Sequence, residues 1–224
     1  MQLSEPLTNE TGREYALRMI KKNIIMLELK PGCMVSENEL SSELGLSRTP
    51  VREALLELSK TGIVEIYPQK GSRVSKINYD LVEESRFLRL VLERAVVELA
   101  CDMATPEDLR ALNEGIKLQE LYIEHPFANR LLELDNEFHK QLFRITNKLQ
   151  TYRLMDSMTT HFDRVRSLSL STVKDIKIVE DHHDILNALK AKEKELVRDL
   201  MEKHLSRYKI DEEIIREKYP EYFV

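Results

Sequence analysis

Apolar residues Ala16, Leu17, Ile20, Ile24 and Leu27 recur at three- and four-residue spacing, which predicts an amphipathic helix capped by Asn9 and ended by Lys30-Pro31-Gly32. Ser36-Glu37-Asn38-Glu39 follows as a capping box, so a short second helix is expected from there to about Leu44. Gly45 permits a tight turn, and Ser47 caps a third helix whose first turn holds Pro50, where a missing N–H costs nothing. Val51, Ala54, Leu55 and Leu58 face inward on that helix, which stops at Thr61-Gly62. Two short helices joined by a Gly-containing turn are a helix-turn-helix, whose second helix offers its N-terminal residues to the major groove. Residues 63–67 then alternate as a strand, 68–71 form a turn and 72–74 return, a hairpin placed as a wing.

From Asn78 onward the alternation ends and only helical patterns remain. They run over 81–104, from Thr105-Pro106 to about 122, and over 127–146, 149–168, 173–189 and 192–218. The expected fold is mainly α: a winged helix-turn-helix over 1–76, a linker over 77–80, and an all-α bundle of about six helices over 81–224. Asn78 to Asp80 is the expected hinge.

Composition agrees with a folded, helix-leaning chain: 42% of the 224 residues are hydrophobic and 33% charged, with six Gly and seven Pro. Two cysteines, Cys33 and Cys101, cannot build a disulfide framework and read as free thiols of a reducing compartment. The segment after Met1 lacks an apolar stretch and nothing in the chain is apolar enough to span a bilayer, so a cytoplasmic protein without a membrane partner is expected.

A net charge of −5 argues at first against a nucleic-acid partner, but the charge is unevenly spread. Residues 1–76 hold 11 Lys and Arg against 10 Glu, a net of +1, leaving −6 for the remainder. Within 47–76 six basic residues face three acidic ones. Ser47, Arg48, Thr49 and Arg52 place hydroxyls and guanidinium forks at the front of the third helix, the groups that bond phosphates and read guanine edges. Isolated arginines are more often solvated surface charge, with Glu53 and Glu57 as partners here. The cap, the turn and the wing together favour the groove-facing reading.

The run from Glu39 to Leu55, Glu-Leu-Ser-Ser-Glu-Leu-Gly-Leu-Ser-Arg-Thr-Pro-Val-Arg-Glu-Ala-Leu, continued by Leu58, Gly62, Pro68 and Gly71, resembles the winged helix-turn-helix of GntR-family bacterial transcription regulators. The resemblance implies that Ser47, Arg48, Thr49 and Arg52 contact operator DNA and that Gln69, Lys70 and Gly71 form a wing tip entering the minor groove.

In the bundle, the informative residues are polar ones on apolar faces. Asp135 has Leu131, Leu132, Phe138 and His139 at its helical neighbour positions, and His139 has Leu142 and Phe143. His182 is surrounded by Ile178, Val179, Ile185 and Leu186, whereas His183 has Glu180 and Asn187 among its neighbours, so His182 points inward and His183 outward. His204, beside Leu200, Met201, Arg207 and Tyr208, also points inward. Three histidines and an aspartate converging from three helices would hold a divalent metal of the Zn, Ni or Mn class; an Asp135–His139 pair with two unrelated core histidines is the other reading. His125 and His161 read as surface or peripheral.

Asp135-x3-His139, His182-x2-Ile185-Leu186 and Met201-x2-His204-Leu205 are similar to the metal-binding subgroup of the FCD effector domain, the usual companion of the FadR-like GntR subfamily. That resemblance implies Asp135, His139, His182 and His204 as ligands. Arg89, in Arg89-Leu90-Val91-Leu92-Glu93, matches a recurrent Arg-x-x-Leu-Glu segment and is the candidate for binding a small carboxylate effector, with Arg86 next; an intrahelical ion pair of Arg89 with Glu93 is the alternative.

The expected function is that of a non-enzymatic transcriptional regulator. It would bind double-stranded, pseudo-palindromic operator DNA as a homodimer and respond to a small carboxylate at the metal. A regulator in which the ion itself is the signal, and a metal-dependent hydrolase, are the alternatives.

Overall fold

A computed structural model describes residues 1–123, 128–172 and 177–224. The N-terminal part comprises α1 (Gly12–Ile25), β1 (Met34–Val35), α2 (Glu37–Leu44), α3 (Arg48–Lys60), β2 (Val64–Tyr67) and β3 (Gly71–Val74). Thr11, not Asn9, caps α1: its hydroxyl accepts from the Glu14 N–H while the Glu14 carboxylate accepts from the Thr11 N–H, a complete capping box. Asn9 instead takes a left-handed backbone at φ 64°. The helix also ends at Ile25, before Lys30-Pro31-Gly32, as Leu27 turns left-handed at φ 62°.

The second helix spans the expected residues, but only half of the expected capping box forms, the Glu39 carboxylate making no bond back to the Ser36 N–H. Ser36 accepts from the Glu39 N–H, and Gly45 closes the helix at φ 65°, a conformation that costs a residue without a Cβ little. Ala16, Met19, Ile20, Ile24, Val51, Ala54, Leu55 and Leu58 pack into one core under the sheet, each worth about 1.5–3 kcal/mol for the larger side chains. The sheet has the order β1-β3-β2, all antiparallel, with Met34 opposite Arg73 and Val64 opposite Val74. The sequence pattern missed β1, because two residues are too few to show alternation.

The C-terminal part comprises α4 (Tyr79–Met103), α5 (Pro106–Ile123), α6 (Ala128–Ile145), α7 (Leu149–Met158), α8 (Thr160–Thr172), α9 (Lys177–Ala191), α10 (Lys194–Ser206) and α11 (Tyr208–Lys218). Two of the six expected helices are each divided. The break between α7 and α8 falls at Thr159, whose backbone at φ −97°, ψ 8° leaves the helical region and whose carbonyl accepts the Asp163 N–H that opens α8. The chain between α10 and α11 tightens at Arg207, whose N–H bonds the His204 carbonyl three residues back.

Residues 77–80, expected as a linker, are largely taken up by structure. The Asn78 side chain accepts from the Asp80 N–H to cap α4, and Tyr79 and Asp80 form its first turn. Ile77 pairs with the C-terminal segment, donating to the Tyr222 carbonyl at 2.8 Å and accepting from Val224 at 3.2 Å. Among the described residues, no helix is long and apolar enough to cross a membrane.

Candidate functional site

Two groups of side chains stand out, one on the N-terminal part and one inside the bundle. At the front of α3, Ser47, Arg48, Thr49 and Arg52 are all exposed. Ser47 occupies the N-cap position, yet its hydroxyl makes no capping bond, contrary to its expected role in starting the helix. The first turn of α3 contains no acidic residue, so its N–H groups and positive dipole end lie beside two guanidinium groups. Arg52 makes a loose contact, 4.0 Å, with Glu37. In the wing turn, Gln69 and Lys70 are exposed and Gly71 half-buried. Gly71 has φ 96°, which strains any residue with a Cβ, and a Cβ there would crowd the Val35 carbonyl oxygen at 3.3 Å.

Within the bundle, α6 supplies Asp135 and His139, α9 supplies His182 and α10 supplies His204. All four are buried, and one ligand atom from each lies within 4.8 Å of every other. His139 Nε2 is 3.0 Å and His182 Nε2 3.3 Å from His204 Nε2. Asp135 Oδ1 is 3.5 Å from His182 Nε2 and 3.9 Å from His204 Nε2.

Neighbouring groups decide which ring nitrogens carry hydrogen. Gln119 donates its amide N–H to the Leu134 carbonyl at 3.2 Å, which orients its oxygen toward His182 Nδ1 at 2.7 Å. His182 therefore donates from Nδ1 and presents a lone pair at Nε2. Its ring also stacks on Phe138, centroids 3.9 Å apart. His139 Nδ1 abuts the Glu93 carboxylate, and His204 Nδ1 lies 3.6 Å from Asp181. The outer nitrogens thus face acceptors while the three Nε2 atoms face one another and a carboxylate.

Burial pushes His182 well below the ordinary imidazole range and His204 down to about 4, and lowers His139 against the opposing pull of Glu93. The rings are neutral at pH 7. Neutral rings so oriented have no proton to place between their Nε2 atoms, and converging lone pairs beside a carboxylate are the donor set of a divalent cation. The residues present fit a metal.

Several groups around the cluster were not anticipated from the sequence. Arg166 of α8 sits against the Asp135 carboxylate and donates to Asp163 at 2.8 Å and to Asn136 at 2.7 Å. Asp181 takes Arg207 and Lys203 as partners. Gln119 carried a signal, being polar beside Ile116 and Ile123; Asp181 directly precedes His182; Arg166 carried none. A cavity of about 40 Å³ opens beside the cluster, lined by Asp135, Arg166, Ser169, His204, Arg207 and Asp211 among others.

Arg89 lies on another side of His139. It is buried, donates to Glu93 at 2.5 Å and stands 5.4 Å over the Phe162 ring, which is the ion-pair alternative. Arg86 lies apart from the cluster, with Lys60, Asp80 and Glu83 in a groove beside α3, and pairs with Glu83 at 3.3 Å. His183 faces outward and meets Glu120. His161 corrects its peripheral reading: it is buried, its Nδ1 2.7 Å from Arg164, because α8 is packed on nearly every side. His125 lies outside the described residues.

Residues 13–74 match the family described as bacterial regulatory proteins, gntR family, and residues 84–207 match the FCD domain. The chain is 30% identical to the HTH-type transcriptional repressor RspR of Escherichia coli (strain K12) over 207 residues, 92% of this chain and 91% of the relative. It is 32% identical over 217 residues, 95% of this chain and 90% of the other, to an HTH-type transcriptional regulator in an unstable DNA locus of Streptomyces ambofaciens. The structure of McbR/YncC of E. coli has the same fold, with a TM-score of 0.81 at 23% identity, covering 93% of this chain and 99% of that one.

Proposed function

Since the chain belongs to the GntR family and is a transcriptional regulator carrying an FCD domain, not an enzyme, we propose that it binds a two-fold-related operator as a homodimer under the control of a small carboxylate held at a divalent metal. The observation that carries this reading is the presence, in one chain, of a helix end edged with Arg48, Thr49 and Arg52 and a buried cluster whose lone pairs converge. In this reading residues 1–76 are the DNA-reading unit and 81–224 the effector and dimerisation unit.

Asp135, His139, His182 and His204 would hold the metal. A bound divalent ion would supply fixed positive charge and open positions for carboxylate oxygens. Arg166, which lines the small cavity together with Asp135 and His204, is better placed than Arg89 or Arg86 to meet an effector carboxylate. About 40 Å³ is far below the roughly 300–1,000 Å³ of ordinary ligand pockets. An effector larger than its carboxylate therefore binds only an opened bundle, and that difference in affinity shifts the population of conformations. The small cavity also favours a second reading, in which the ion alone is the signal. Titrating operator binding with Zn²⁺ and with small carboxylates separately distinguishes the two: a response to Zn²⁺ with none to any acid supports the second.

Self-association is supported by the outer faces of α4 and α7. Phe87 is 66%, Val91 51%, Leu154 64% and Met158 57% exposed, and Phe87 and Met158 line the same groove. A second copy covers this patch in the proposed dimer, since one recognition helix reads too few base pairs for specificity. The Phe87→Asp/Val91→Asp variant should sediment as a monomer at concentrations where the wild type is dimeric, losing about 1.5–3 kcal/mol for each large apolar side chain no longer buried. A double variant that stays dimeric places the interface elsewhere.

The DNA assignment is tested by selecting bound genomic fragments and measuring affinity for them. Arg48→Ala and Arg52→Ala should each cost about 1–3 kcal/mol where the guanidinium reads a base. Lys70→Ala should instead weaken all sequences alike and reduce the salt dependence by about one phosphate contact. Unchanged affinity for both arginine variants would sink the assignment of α3.

A further inference from the structure

Arg164 is the largest fully buried side chain among the described residues. Its Nη1 donates to the Ser75 carbonyl at 2.6 Å and its Nη2 to the Lys76 carbonyl at 3.4 Å, with Nη2 also 2.7 Å from His161 Nδ1. Among the described residues its partners are these carbonyls and the imidazole, with no carboxylate. Burial accordingly pushes its pKa down to about 9, a shift with no opposing charge behind it. A guanidinium buried without a carboxylate is expensive, and an apolar side chain of similar size would commonly hold the fold better. Its hydrogen bonds to two backbone carbonyls offset part of that cost, but stability alone does not select an arginine at this position.

Its place in the chain does. Ser75 and Lys76 join the wing to Ile77 and α4, and the Ser75 N–H bonds the Ile63 carbonyl at 2.9 Å, just after α3. Two residues on, Arg166 sits against Asp135 of the cluster. Successive helical residues are separated by about 100°, so Arg164 and Arg166 project from nearly opposite faces of α8. The helix between them is firmly packed: Phe162, Val165 and Leu168 lie with Ile77, Val82, Ile215 and Phe223 in one core. One packed helix therefore touches the cluster with one arginine and the root of the DNA-reading unit with the other.

We propose that Arg164 couples the Asp135–histidine cluster to the DNA-reading unit, by fastening the Ser75 and Lys76 carbonyls to α8 so that a displacement of Arg166 at the cluster moves the root of the wing. This deepens the proposed function and rests on its assignment of the cluster as the controlling site. Among the described residues the ion pairs Lys21–Asp156 at 2.8 Å and Lys22–Glu133 at 2.7 Å, and the packing of Ile25, Met26 and Leu27 on the bundle, also join the units, but through the end of α1 and not at the root of the wing.

The test uses the full-length protein with Zn²⁺ as the probe, in the wild type, Arg164→Met, Arg164→Lys and Lys21→Ala. Zn²⁺ affinity is measured by titration, amide hydrogen exchange is followed across residues 75–78, and operator affinity is measured with and without Zn²⁺. In the wild type Zn²⁺ should change exchange across 75–78, and operator affinity should change within the range of about 5- to 150-fold usual for coupled sites. Arg164→Met should bind Zn²⁺ as the wild type does while both responses vanish; Lys21→Ala should keep both. Arg164→Lys, which keeps the cation but not the two-pronged geometry, should retain a reduced response, and it decides the matter if the Met variant fails to fold.

Full responses in the Arg164 variants, or exchange across 75–78 that ignores Zn²⁺ in the wild type, would overturn the coupling. A wild type whose exchange responds to Zn²⁺ through Arg164 while operator affinity does not would instead refute control of DNA binding by the cluster and leave the coupling standing.

Discussion

His182→Ala is expected to leave the purified protein without stoichiometric divalent metal, whereas His183→Ala retains it. The two residues are adjacent on α9, yet only His182 is fully buried with its Nε2 turned to His204 and Asp135; His183 pairs with Glu120 near the surface. Removing a ligand should cost more than the roughly 10–100-fold in metal affinity that loss of an outer partner costs. Gln119→Ala supplies that smaller effect, because it frees His182 Nδ1 to exchange its hydrogen with Nε2 and so removes the orientation of the lone pair. Elemental analysis and competitive Zn²⁺ titration of the three variants give the order: His183→Ala as wild type, Gln119→Ala weakened, His182→Ala without metal. Metal retained by His182→Ala and lost by His183→Ala would mean that α9 presents its other face to the bundle.

The inward phase of His182 was legible because four apolar residues occupy its helical neighbour positions, and the same counting turned Asp135, His139 and His204 inward. Periodicity reports a side chain's direction within its own helix. It says nothing about what arrives from another helix, and Arg166, Glu93 and Asp181 each reach the cluster by tertiary packing. Glu93 is the instructive case. Its spacing from Arg89 offers an ion pair only as an alternative to effector binding, since sequence does not reveal that the pair is buried. The winged helix-turn-helix was read more fully because its signals are local: Gly45, Pro50 and the turn at Gly71 act through their own backbone geometry. The break at Thr159 carries no comparable signal, because a threonine within an apolar helical pattern is tolerated far more often than it interrupts one. Arg164 lay wholly beyond the pattern, because its partners are backbone carbonyls.

Glu93→Ala is expected to be strongly destabilising. Glu93 is buried between two groups: Arg89 at 2.5 Å and His139, whose Nδ1 abuts the same carboxylate. Burial alone would raise its pKa; Arg89 and His139 outweigh that and hold it well below the ordinary carboxylate range. A carboxyl so depressed stabilises the folded state above its unfolded pKa near 4.5, and that contribution is lost only as pH falls through the lower folded value. Truncation leaves Arg89 buried without its nearest anion, which costs about 3–5 kcal/mol when one partner of a buried pair is removed. For a chain of this size that corresponds to a fall in melting temperature of roughly 6–20 °C at pH 7. By contrast, Glu107→Ala, which breaks an exposed pair with Arg110, should change stability by less than about 1 kcal/mol. The double variant Arg89→Met/Glu93→Leu should recover much of the loss, because it removes the stranded charge together with its partner. It should not restore metal affinity, since His139 still lacks the acceptor that fixes its Nδ1 hydrogen. Thermal unfolding at pH 7 combined with Zn²⁺ titration separates the two roles of Glu93: stability returns in the double variant and metal affinity does not. Recovery of both would mean that Glu93 serves only to balance Arg89 and plays no part in orienting His139.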